Sequence, residues 1–368
     1  MQDLMTLVGK HIYSLILFTF FLFISCDNSQ NTSSNSNYLE VSGLAQGTTF
    51  SIIYNDEQLR DFSFEIDSIL NSFDAELSLY SDSSEISKFN MGDAHFYLSD
   101  KSNYIKSCFQ KAKDVYNLTD GAFNPAIFPL VNYWGFYNML KKNDSTNQED
   151  IDSLLTIISF NDSSFCLVND TISKGTEVFQ ISPFFYKINT NSKLDFNAIA
   201  QGYSVDVISE YLIKKGLNNY MVEIGGEVRV LGLNPAGDLW KIGIDQPVEN
   251  SSPGENDFEF IVELNNASLA TSGNYRKFYK KNGIKYSHTI NPSSGYPVDH
   301  SLLSVTVVAK QAAYADAFAT SFMVMGLEQS LAFILKHPEL ELAAYFVYDE
   351  NGKNKSVQTN GMRKYILN

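Results

Sequence analysis

The feature of this chain that most narrows its fold is the order of its strand-like and helix-like segments. A β-branched and aromatic run at Thr48–Tyr54 predicts a strand, and apolar residues at helical spacing predict a helix within Leu59–Phe73. A second helical period covers Ala198–Lys215. Leu303–Val308 predicts another strand, followed by a helix over Tyr314–Met325. Because these segments do not alternate as βαβ units, we expect an α+β fold, with one mixed domain rather than a doubly wound sheet.

The beginning of the chain indicates export. An uncharged apolar run of 14 residues, Ile12–Ser25, follows Lys10 and His11. A helix that spans a bilayer needs about 20 residues, so this run is typical of a signal peptide. The run ends in the string LFISC, which resembles a bacterial lipobox with Cys26 as the lipidated residue. The alternative is an ordinary signal peptide in which Cys26 has no role.

A polar segment rich in Asn and Ser separates Cys26 from the remainder of the chain. Such a segment has little apolar surface with which to offset the entropy of ordering, so we interpret it as a flexible tether. The predicted organisation is a signal peptide of lipoprotein type at 1–25, a lipidated cysteine and tether at 26–37, and a globular domain at 38–368. We therefore expect an exported protein, lipid-anchored to a bacterial membrane and facing the periplasm or the cell exterior.

Charge and cysteine content limit the partners. The net charge of −15 argues against nucleic acid, because phosphate backbones bind basic surfaces. It also disfavours electrostatic docking on anionic lipid, so the lipid anchor would hold the protein at the membrane. An anionic substrate such as a dinucleotide would need local neutralisation by a metal or by a few basic residues. Cys108 and Cys166 are compatible with a disulfide or with two buried thiols.

The segment ADAFAT suggests a metal site. Asp316 and Thr320 are four residues apart on a predicted helix and so share one face. A carboxylate and a hydroxyl among small residues offer hard oxygen ligands, and Mg²⁺ takes one or two carboxylates and leaves other positions to water and phosphate. The alternative is that Asp316 lies on the surface and Thr320 only packs.

The segment LDFNAIAQGYSVD places polar residues where we expect a strand to end at Asp195 and a helix to begin. Backbone N–H groups at such a helix start can bind an anion. Asn197 is alternatively a plain N-cap. Gly202 within a helical pattern indicates close approach by another backbone or by a ligand.

Two further segments offer polar groups in turns. Arg276, in TSGNYR, is placed to pair with a phosphate, and the alternative for this segment is a simple hairpin turn. His288 lies in a loop rich in Gly and Pro. Histidine as a residue type is suited to proton transfer, although a single His is more often structural. The aromatic stretch Tyr133–Phe136 would stack on a flavin or adenine ring or else pack in the core.

The order of these segments is more specific than any one of them. The chain carries, in this order, GTTFSI, LSLYSDSSEISKFN, TDGAFNP with LVNYWGF, LDFNAIAQGYSVD, EIGGEVRVLG, ATSGNYR, YSHTINPSSGYPV and ADAFATSFMVMG. Together they resemble the FAD:protein FMN transferase (ApbE) family. The resemblance runs from Gly47 to Gly326, nearly the whole predicted globular domain.

The resemblance implies a single α+β domain with FAD in a cleft, in a family with many periplasmic lipoproteins. Carried over by position, Asp316 and Thr320 would be side-chain ligands of Mg²⁺, and Ala198 would contribute a backbone oxygen. His288 matches the motif histidine proposed to assist proton transfer, with Asp316 as the other catalytic candidate. The implied FAD contacts are Gln46, Tyr80, Ala122, Phe123, Asn124, Asp195, Gln201 and Ile290.

Three positions depart from the commoner family pattern. Asn124 stands where Asp is usual, Gln201 where Lys or Glu is usual, and Asn291 where Asp precedes the Pro. Amides still form hydrogen bonds but cannot balance charge, so these changes would weaken FAD or metal affinity or alter the choice of acceptor. Asp195, His288, Asp316 and Thr320 are retained, and we expect the chemistry to survive.

The implied activity is Mg²⁺-dependent transfer of FMN from FAD to a Thr or Ser of an acceptor flavoprotein, through a phosphoester, with release of AMP. Family acceptors carry the motif Asp-x-x-(Ser/Thr)-Gly-Ala-(Ser/Thr), typically in redox-pump subunits or exported flavoproteins. This chain has no such motif, so we do not expect it to flavinylate itself. The alternatives are an FAD pyrophosphatase that gives free FMN and AMP, and an FAD-binding lipoprotein without turnover.

Overall fold

The computed structural model describes residues 37–99, 102–137, 147–168, 171–174, 177–180, 183–248, 258–274, 278–281 and 284–367. These residues belong to one unit, Asn35–Asn368. The predicted signal peptide, Cys26, residues 26–36 of the predicted tether and Arg276 lie outside the described residues. In the described ranges, no helix is long and apolar enough to cross a membrane.

The strands and helices are as follows. The strands are β1 Tyr38–Ala45, β2 Thr48–Asn55, β3 His95–Tyr97, β4 Phe165–Val168, β5 Thr171–Lys174, β6 Glu177–Gln180, β7 Phe184–Lys187, β8 Tyr220–Ile224, β9 Glu227–Leu231, β10 Trp240–Asp245, β11 Phe258–Leu264, β12 Ala267–Gly273, β13 Phe278–Lys281, β14 Ile284–Ser287, β15 Leu302–Ala309, β16 Ala343–Glu350 and β17 Lys353–Gln358. The helices are α1 Ser63–Leu77, α2 Glu85–Met91, α3 Tyr104–Leu118, α4 Phe128–Tyr133, α5 Gln148–Leu155, α6 Ala200–Lys214, α7 Ala312–Met325 and α8 Leu327–Lys336.

The main sheet has eight antiparallel strands in the order β1-β2-β8-β9-β12-β15-β16-β17. Its strands come from both ends of the chain, so β2 pairs with β8 across a long insertion that contains α1 to α6. A smaller sheet, β3-β7-β4, forms within that insertion. The architecture is a mixed α+β domain, as the sequence predicts.

The main sheet is covered on both faces, and strand β9 shows why. Its side chains alternate in direction, as in any strand. Val228 and Val230 point into an apolar cluster that also contains Trp240 and Val262 from the β10–β11 hairpin. Arg229 points to the opposite face, where α6 lies. The sheet therefore separates a hairpin layer from a helical layer.

Helices α6 and α7 form the centre of the helical layer and approach each other very closely at Gly202. A Cβ at Gly202 would lie 2.3 Å from the carbonyl oxygen of Ala312 and 2.8 Å from the Cβ of Asp316. Only a residue without a side chain can occupy this position without moving one helix. The prediction that Gly202 marks a close approach is confirmed, and the approaching group is the backbone and first side-chain carbon of α7.

The predicted elements compare well with the observed ones. The predicted strands at Thr48–Tyr54 and Leu303–Val308 are β2 and β15, and the helix predicted over Ala198–Lys215 is α6. The strand predicted to end at Asp195 is wrong: β7 ends at Lys187, and Asp195 lies in a loop before α6. Cys108 and Cys166 are both free thiols, so the disulfide alternative is wrong. Cys108 is buried as predicted, whereas Cys166 is only half-buried.

Replacing Gly202 with alanine tests the importance of the α6–α7 contact. Alanine normally stabilises a helix interior relative to glycine, by about 0.5–1 kcal/mol. At Gly202 we expect the opposite sign, a loss of about 1–3 kcal/mol in the free energy of unfolding, because the new methyl group overpacks against backbone atoms. Urea unfolding followed by circular dichroism measures this difference.

Gly361→Ala is the matched control. A Cβ there would lie 3.5 Å from the Cβ of Ala343, an ordinary van der Waals contact. This variant should stay close to wild-type stability. A Gly202→Ala protein as stable as the Gly361→Ala protein would show that the two helices can separate at little cost.

Candidate functional site

The site is built around Asp316 on the second turn of α7. Its carboxylate is buried, with the residue 8% exposed, and its Oδ2 accepts a hydrogen bond of 3.1 Å from the Gly202 N–H. Burial raises the pKa of Asp316 to about 7, and the Gly202 N–H opposes this rise only in part. The alternative that Asp316 is a surface residue is therefore wrong. A desolvated carboxylate of this kind would be stabilised in its charged form by a cation.

The bond from Gly202 also affects Ala198. In a continuing α-helix the N–H of Gly202 would donate to the carbonyl four residues earlier, which is that of Ala198. Here that N–H donates to Asp316, and α6 begins only at Ala200. The carbonyl oxygen of the half-buried Ala198 therefore does not have the Gly202 N–H as the partner that a continuous helix would give it.

Thr320 is half-buried one turn after Asp316 on the same helix. The three ligands that the family resemblance implies, Asp316, Thr320 and the Ala198 carbonyl, offer one carboxylate, one hydroxyl and one backbone oxygen. This set fits Mg²⁺, which accepts few protein oxygens and keeps positions for water and phosphate. It does not fit a metal that needs several charged or nitrogen ligands, and no group of three or more His, Cys, Asp or Glu residues that could hold a metal occurs among the described residues.

The start of α7 is held by Asp206, a residue whose role the sequence did not reveal. Asp206 lies on α6 and is 1% exposed. Its Oδ1 accepts the Ala312 N–H at 3.0 Å and its Oδ2 accepts the Ala313 N–H at 2.9 Å. Arg229 donates to Oδ1 at 2.7 Å. In the sequence, only the spacing of four residues between Gly202 and Asp206 indicates that both lie on the same face of α6 and so contact the same neighbouring helix.

A second carboxylate lies in the loop before α6. Asp195 is buried, its Oδ1 accepts the Asn197 N–H at 2.8 Å, and its own N–H donates to the Pro125 carbonyl at 2.7 Å. This last bond joins the segments TDGAFNP and LDFNAIAQ. Burial raises the pKa of Asp195 to about 6. The alternative of Asn197 as N-cap is wrong, because the N-cap of α6 is Ile199.

The loop that carries Asp195 is fixed by two buried side chains that sequence reasoning missed. Asn90 makes two bonds to Leu194, accepting its N–H at 2.7 Å and donating to its carbonyl at 2.8 Å. Lys187 is fully buried and its Nζ lies 3.4 Å from the Ser192 carbonyl that accepts from it. No simple sequence signal marks either residue, because each also bonds to backbone far away in the chain: Asn90 to Leu194, 104 positions away, and Lys187 to the Phe89 carbonyl, 98 positions away.

The segment TDGAFNP contributes mainly backbone to this region. The Phe123 ring lies in the core and Ala122 is half-buried. Asn124 uses both ends of its amide: Oδ1 accepts the Ala126 N–H and Nδ2 donates to the Ile158 carbonyl, each at 2.9 Å. An aspartate could not make the second bond, since it has no N–H. Asn124 therefore lacks the negative charge of the usual aspartate but forms a hydrogen bond to the Ile158 carbonyl that an aspartate could not form.

Gln46 and Gln201 both lie beside Ser204 on α6, and Gln201 also reaches the turn between β8 and β9. The Gln201 amide fills the space beside Gly225, where a Cβ would lie 1.9 Å from its Nε2. The Ser204 hydroxyl donates to the Gln201 carbonyl at 2.7 Å and lies 3.3 Å from Oε1 of Gln46. The buried Nε2 of Gln46 has no hydrogen-bond partner among the described residues. An unpaired buried donor costs free energy unless a ligand uses it. Gln46 is thus suited to donate to a ligand.

Tyr80 is the most exposed of the predicted contacts, at 76%. It stacks on Tyr137 with ring centroids 6.0 Å apart and an angle of 21° between the planes. The Tyr137 hydroxyl donates to the Leu79 carbonyl at 2.7 Å, which fixes this ring. Burial raises the pKa of Tyr137, and the nearby carboxylates Asp82 and Asp195 raise it further. The exposed ring of Tyr80 therefore lies in the neighbourhood of Asp195, where it can stack on a flat ligand.

His288 lies half-buried in a loop that is tied to the end of β12. Asn274 accepts hydrogen bonds from both hydroxyls that flank His288, a short one from Ser287 and one of 2.9 Å from Thr289. The His288 ring packs edge-on at 6.5 Å from Phe136. These contacts join the segments ATSGN, YSHTINP and NYWGF around one histidine.

The remaining predictions have different outcomes. Ile290 is buried and forms an isolated bridge with Pro297, so it can offer only a small surface to a ligand. Trp134 is a core residue whose Nε1 donates to the Gly295 carbonyl at 2.8 Å, which supports the packing alternative for the aromatic stretch. Arg276 lies outside the described residues and its role stays a prediction.

Comparison with known proteins gives a consistent result. The profile of the ApbE family matches residues 46–346. The FAD:protein FMN transferase of Vibrio cholerae is 33% identical over 298 residues, which are 80% of this chain and 83% of that protein. The FAD:protein FMN transferase of Haemophilus influenzae is 30% identical over 314 residues, which are 84% of this chain and 86% of that protein.

Solved structures agree with these relatives. The flavin transferase ApbE from Vibrio cholerae has a TM-score of 0.71 at 29% identity, covering 89% of this chain and 99% of that one. The apo form of the flavinyl transferase ApbE from Pseudomonas stutzeri has the same TM-score at 28% identity, covering 89% and 96%.

The buried carboxyl of Asp195 predicts a pH dependence of stability. Its pKa is raised from 3.8 to about 6, so the folded state binds more protons than the unfolded state between these values. Its contribution to stability is present at low pH and is lost as the pH rises through 6. Between pH 5 and pH 8 the free energy of unfolding should fall by about 1–2 kcal/mol more in the wild type than in Asp195→Asn.

Urea unfolding at the two pH values, without FAD or metal, measures this difference. Asparagine keeps the shape of the side chain and can still accept the Asn197 N–H, so other titrating groups cancel between the two proteins. A constant difference in stability across this range would mean that Asp195 titrates at its ordinary pKa.

Proposed function

The chain belongs to the ApbE family, and from this premise we propose that its flavin transferase activity is a Mg²⁺-dependent transfer of FMN from FAD to a hydroxyl of an acceptor protein. The relatives named FAD:protein FMN transferase and the shared ApbE fold establish flavin transfer as the reaction class. The metal, the residue roles and the cellular location are the proposed parts.

The observation that carries the metal assignment is the environment of Asp316. Its carboxylate is buried, accepts one backbone N–H and has a raised pKa. Keeping a carboxylate charged in a buried position costs free energy. A bound cation would offset this cost and would lower the pKa of Asp316 again. Asp316, Thr320 and the carbonyl oxygen of Ala198 would hold Mg²⁺. When bound, the metal would neutralise charge on the pyrophosphate oxygens of FAD.

The chain's own groups would orient the two reactants. The exposed ring of Tyr80, backed by Tyr137, would stack on a flat ring of FAD, and the unpaired Nε2 of Gln46 would donate a hydrogen bond to it. Phosphoryl-type transfer depends mainly on such positioning and on charge neutralisation.

His288 is the proposed proton acceptor. The hydroxyl oxygen of the acceptor Thr or Ser forms a bond to the FMN-side phosphorus, the bond from that phosphorus to the bridging oxygen breaks, and AMP leaves with the bridging oxygen. The hydroxyl proton passes to His288. We prefer His288 to Asp316 for this role because a carboxylate that holds a metal is a poor base. The bonds from Ser287 and Thr289 to Asn274 would keep the histidine loop in place.

The departures from the family pattern are compatible with this function. The amide of Asn124 is used within the protein, and Gln201 fills the space beside Gly225. Neither residue supplies a charge, so FAD binding would depend more strongly on the metal and on the aromatic pair Tyr80 and Tyr137. We therefore expect FAD affinity to fall markedly when Mg²⁺ is removed.

We also propose that the protein acts outside the cytoplasm on a lipid anchor at Cys26. The support is the apolar run Ile12–Ser25, the lipobox-like string that follows it and the polar segment beyond. The proposed partner is an exported flavoprotein or redox-pump subunit with the motif Asp-x-x-(Ser/Thr)-Gly-Ala-(Ser/Thr). Metabolic labelling with a fatty acid, compared between wild type and Cys26→Ala, tests the anchor: label retained by the variant would rule it out.

Asp316→Asn tests the metal site. The purified protein is mixed with FAD, Mg²⁺ and a domain that bears the acceptor motif, and AMP release and the mass of the acceptor are followed together, with EDTA as a further condition. The wild type should release AMP and add an FMN-sized mass to the acceptor. The variant should lose at least about 100-fold in rate, because the charge that binds the metal is gone.

Asp56→Asn is the matched control, because Asp56 is also a buried carboxylate but lies at the far end of β2 and pairs with Arg60. It should retain wild-type transfer. Transfer at wild-type rates in folded Asp316→Asn protein would overturn the metal assignment. AMP with free FMN and an unlabelled acceptor would favour the pyrophosphatase, and bound FAD without AMP would favour a binding protein.

A further inference from the structure

We propose that Asp206, clamped by Arg229, is a positioning residue that sets Asp316 in the orientation needed for metal binding. The inference rests on the proposed metal site at Asp316 and goes beyond it by assigning a task to two residues outside that site. Neither Asp206 nor Arg229 is among the residues that the family resemblance implies for FAD or Mg²⁺.

Helix α7 begins without a cap of its own. Its N-cap residue, Gln311, makes no side-chain capping bond. The first N–H groups of any α-helix have no partner within the helix, and burying them unpaired is costly. In α7 these groups are buried at Ala312 and Ala313. The helix therefore needs an acceptor from elsewhere in the fold.

Asp206 supplies that acceptor from the neighbouring helix. Each of its carboxylate oxygens takes one N–H, from Ala312 at 3.0 Å and from Ala313 at 2.9 Å. Two bonds to a planar carboxylate fix both the position and the rotation of the helix start. A negative charge at this end is also favoured by the helix dipole.

Arg229 holds Asp206 from the sheet below. Its Nη1 donates to Oδ1 of Asp206 at 2.7 Å, and it projects from β9 toward α6. Burial raises the pKa of Asp206, while the guanidinium and the two backbone N–H groups lower it. The ion pair thus anchors the start of α7 to a central strand of the main sheet through a side chain of α6.

The same face of α6 makes the contact with Asp316 one turn earlier. Gly202 precedes Asp206 by four residues and donates its N–H to Asp316, which follows Ala312 by four residues on α7. The two helices are therefore joined at two successive turns, once through Asp206 and once through Asp316. A shift of the helix start would break the Gly202 bond and so change the orientation of the Asp316 carboxylate.

If Asp206 only capped α7, its loss would destabilise the helix without changing metal affinity. If Asp206 positions Asp316, its loss would also weaken metal binding, so metal affinity distinguishes the two roles. Mn²⁺ is titrated into the full-length protein with FAD present, and free Mn²⁺ is followed by electron paramagnetic resonance. FAD affinity in EDTA is measured separately by fluorescence. Asp206→Asn should weaken Mn²⁺ binding about 10-fold or more, the loss typical when a group that orients a metal ligand is removed. FAD affinity in EDTA should change less than about 2-fold, which a general loss of structure would not give.

Glu76→Gln is the matched control. Glu76 is a buried carboxylate on α1 that accepts the Ile105 N–H at the start of α3, so it caps a different helix in the same way. This variant should lower the melting temperature and leave Mn²⁺ affinity unchanged. If Asp206→Asn does not fold, Mn²⁺ affinity is measured instead on Arg229→Met and Arg229→Lys. The methionine variant should weaken Mn²⁺ binding and the lysine variant should recover most of it, because lysine keeps the ion pair.

The outcomes separate this inference from the proposed function. Wild-type Mn²⁺ affinity in folded Asp206→Asn, or in both Arg229 variants, overturns the positioning role, whatever the transfer assay shows. Mn²⁺ binding that depends on Asp316 and Asp206, in a protein that transfers no FMN, supports the positioning role and overturns the proposed reaction. Mn²⁺ binding that is insensitive to Asp316→Asn overturns both the metal assignment and the inference.

Discussion

The close approach of α6 to α7 is the contact on which the site depends. At Gly202 the two helices are so near that a single added carbon would meet backbone and side-chain atoms of α7 at less than 3 Å. This proximity lets one backbone N–H of α6 reach Asp316 and lets Asp206 reach the first N–H groups of α7. Without it, neither carboxylate would have its observed backbone N–H partners.

Asp206 and Asp316, the two buried carboxylates at the contact between α6 and α7, differ in how many partners balance their charge. Asp206 is almost fully buried but has a guanidinium and two N–H groups as partners, so it serves to join elements. Asp316 is nearly as buried and has one N–H. Its charge is not balanced within the described protein contacts, and this imbalance makes it suitable for a cation. The same helix pair thus carries one acid paired with a guanidinium and two N–H groups, and one acid with a single N–H partner among the described contacts.

Two amide side chains among the implied FAD contacts, those of Asn124 and Gln46, show a similar division. Both ends of the Asn124 side chain form hydrogen bonds with the protein backbone, which an aspartate could not do. Gln46 has one amide end 3.3 Å from the Ser204 hydroxyl and the other buried without a partner among the described residues. A family pattern alone treats both as ligand contacts, whereas the hydrogen bonds distinguish a residue that shapes the loop from one that still has a donor to offer.

Local sequence patterns determined much of this protein: the α+β class, the main strands β2 and β15, the helix α6, the meaning of Gly202, and the candidates Asp316, His288 and Asp195. Periodicity and ordered motifs contain this information because each depends on neighbouring residues. Only the tertiary structure decided that Asp195 lies in a loop, that Asn90 and Lys187 hold that loop, and that Asp206 and Arg229 fix α7. These contacts join residues that are up to about 100 positions apart, and the burial that shifts the pKa values of Asp195 and Asp316 exists only once distant elements have excluded water.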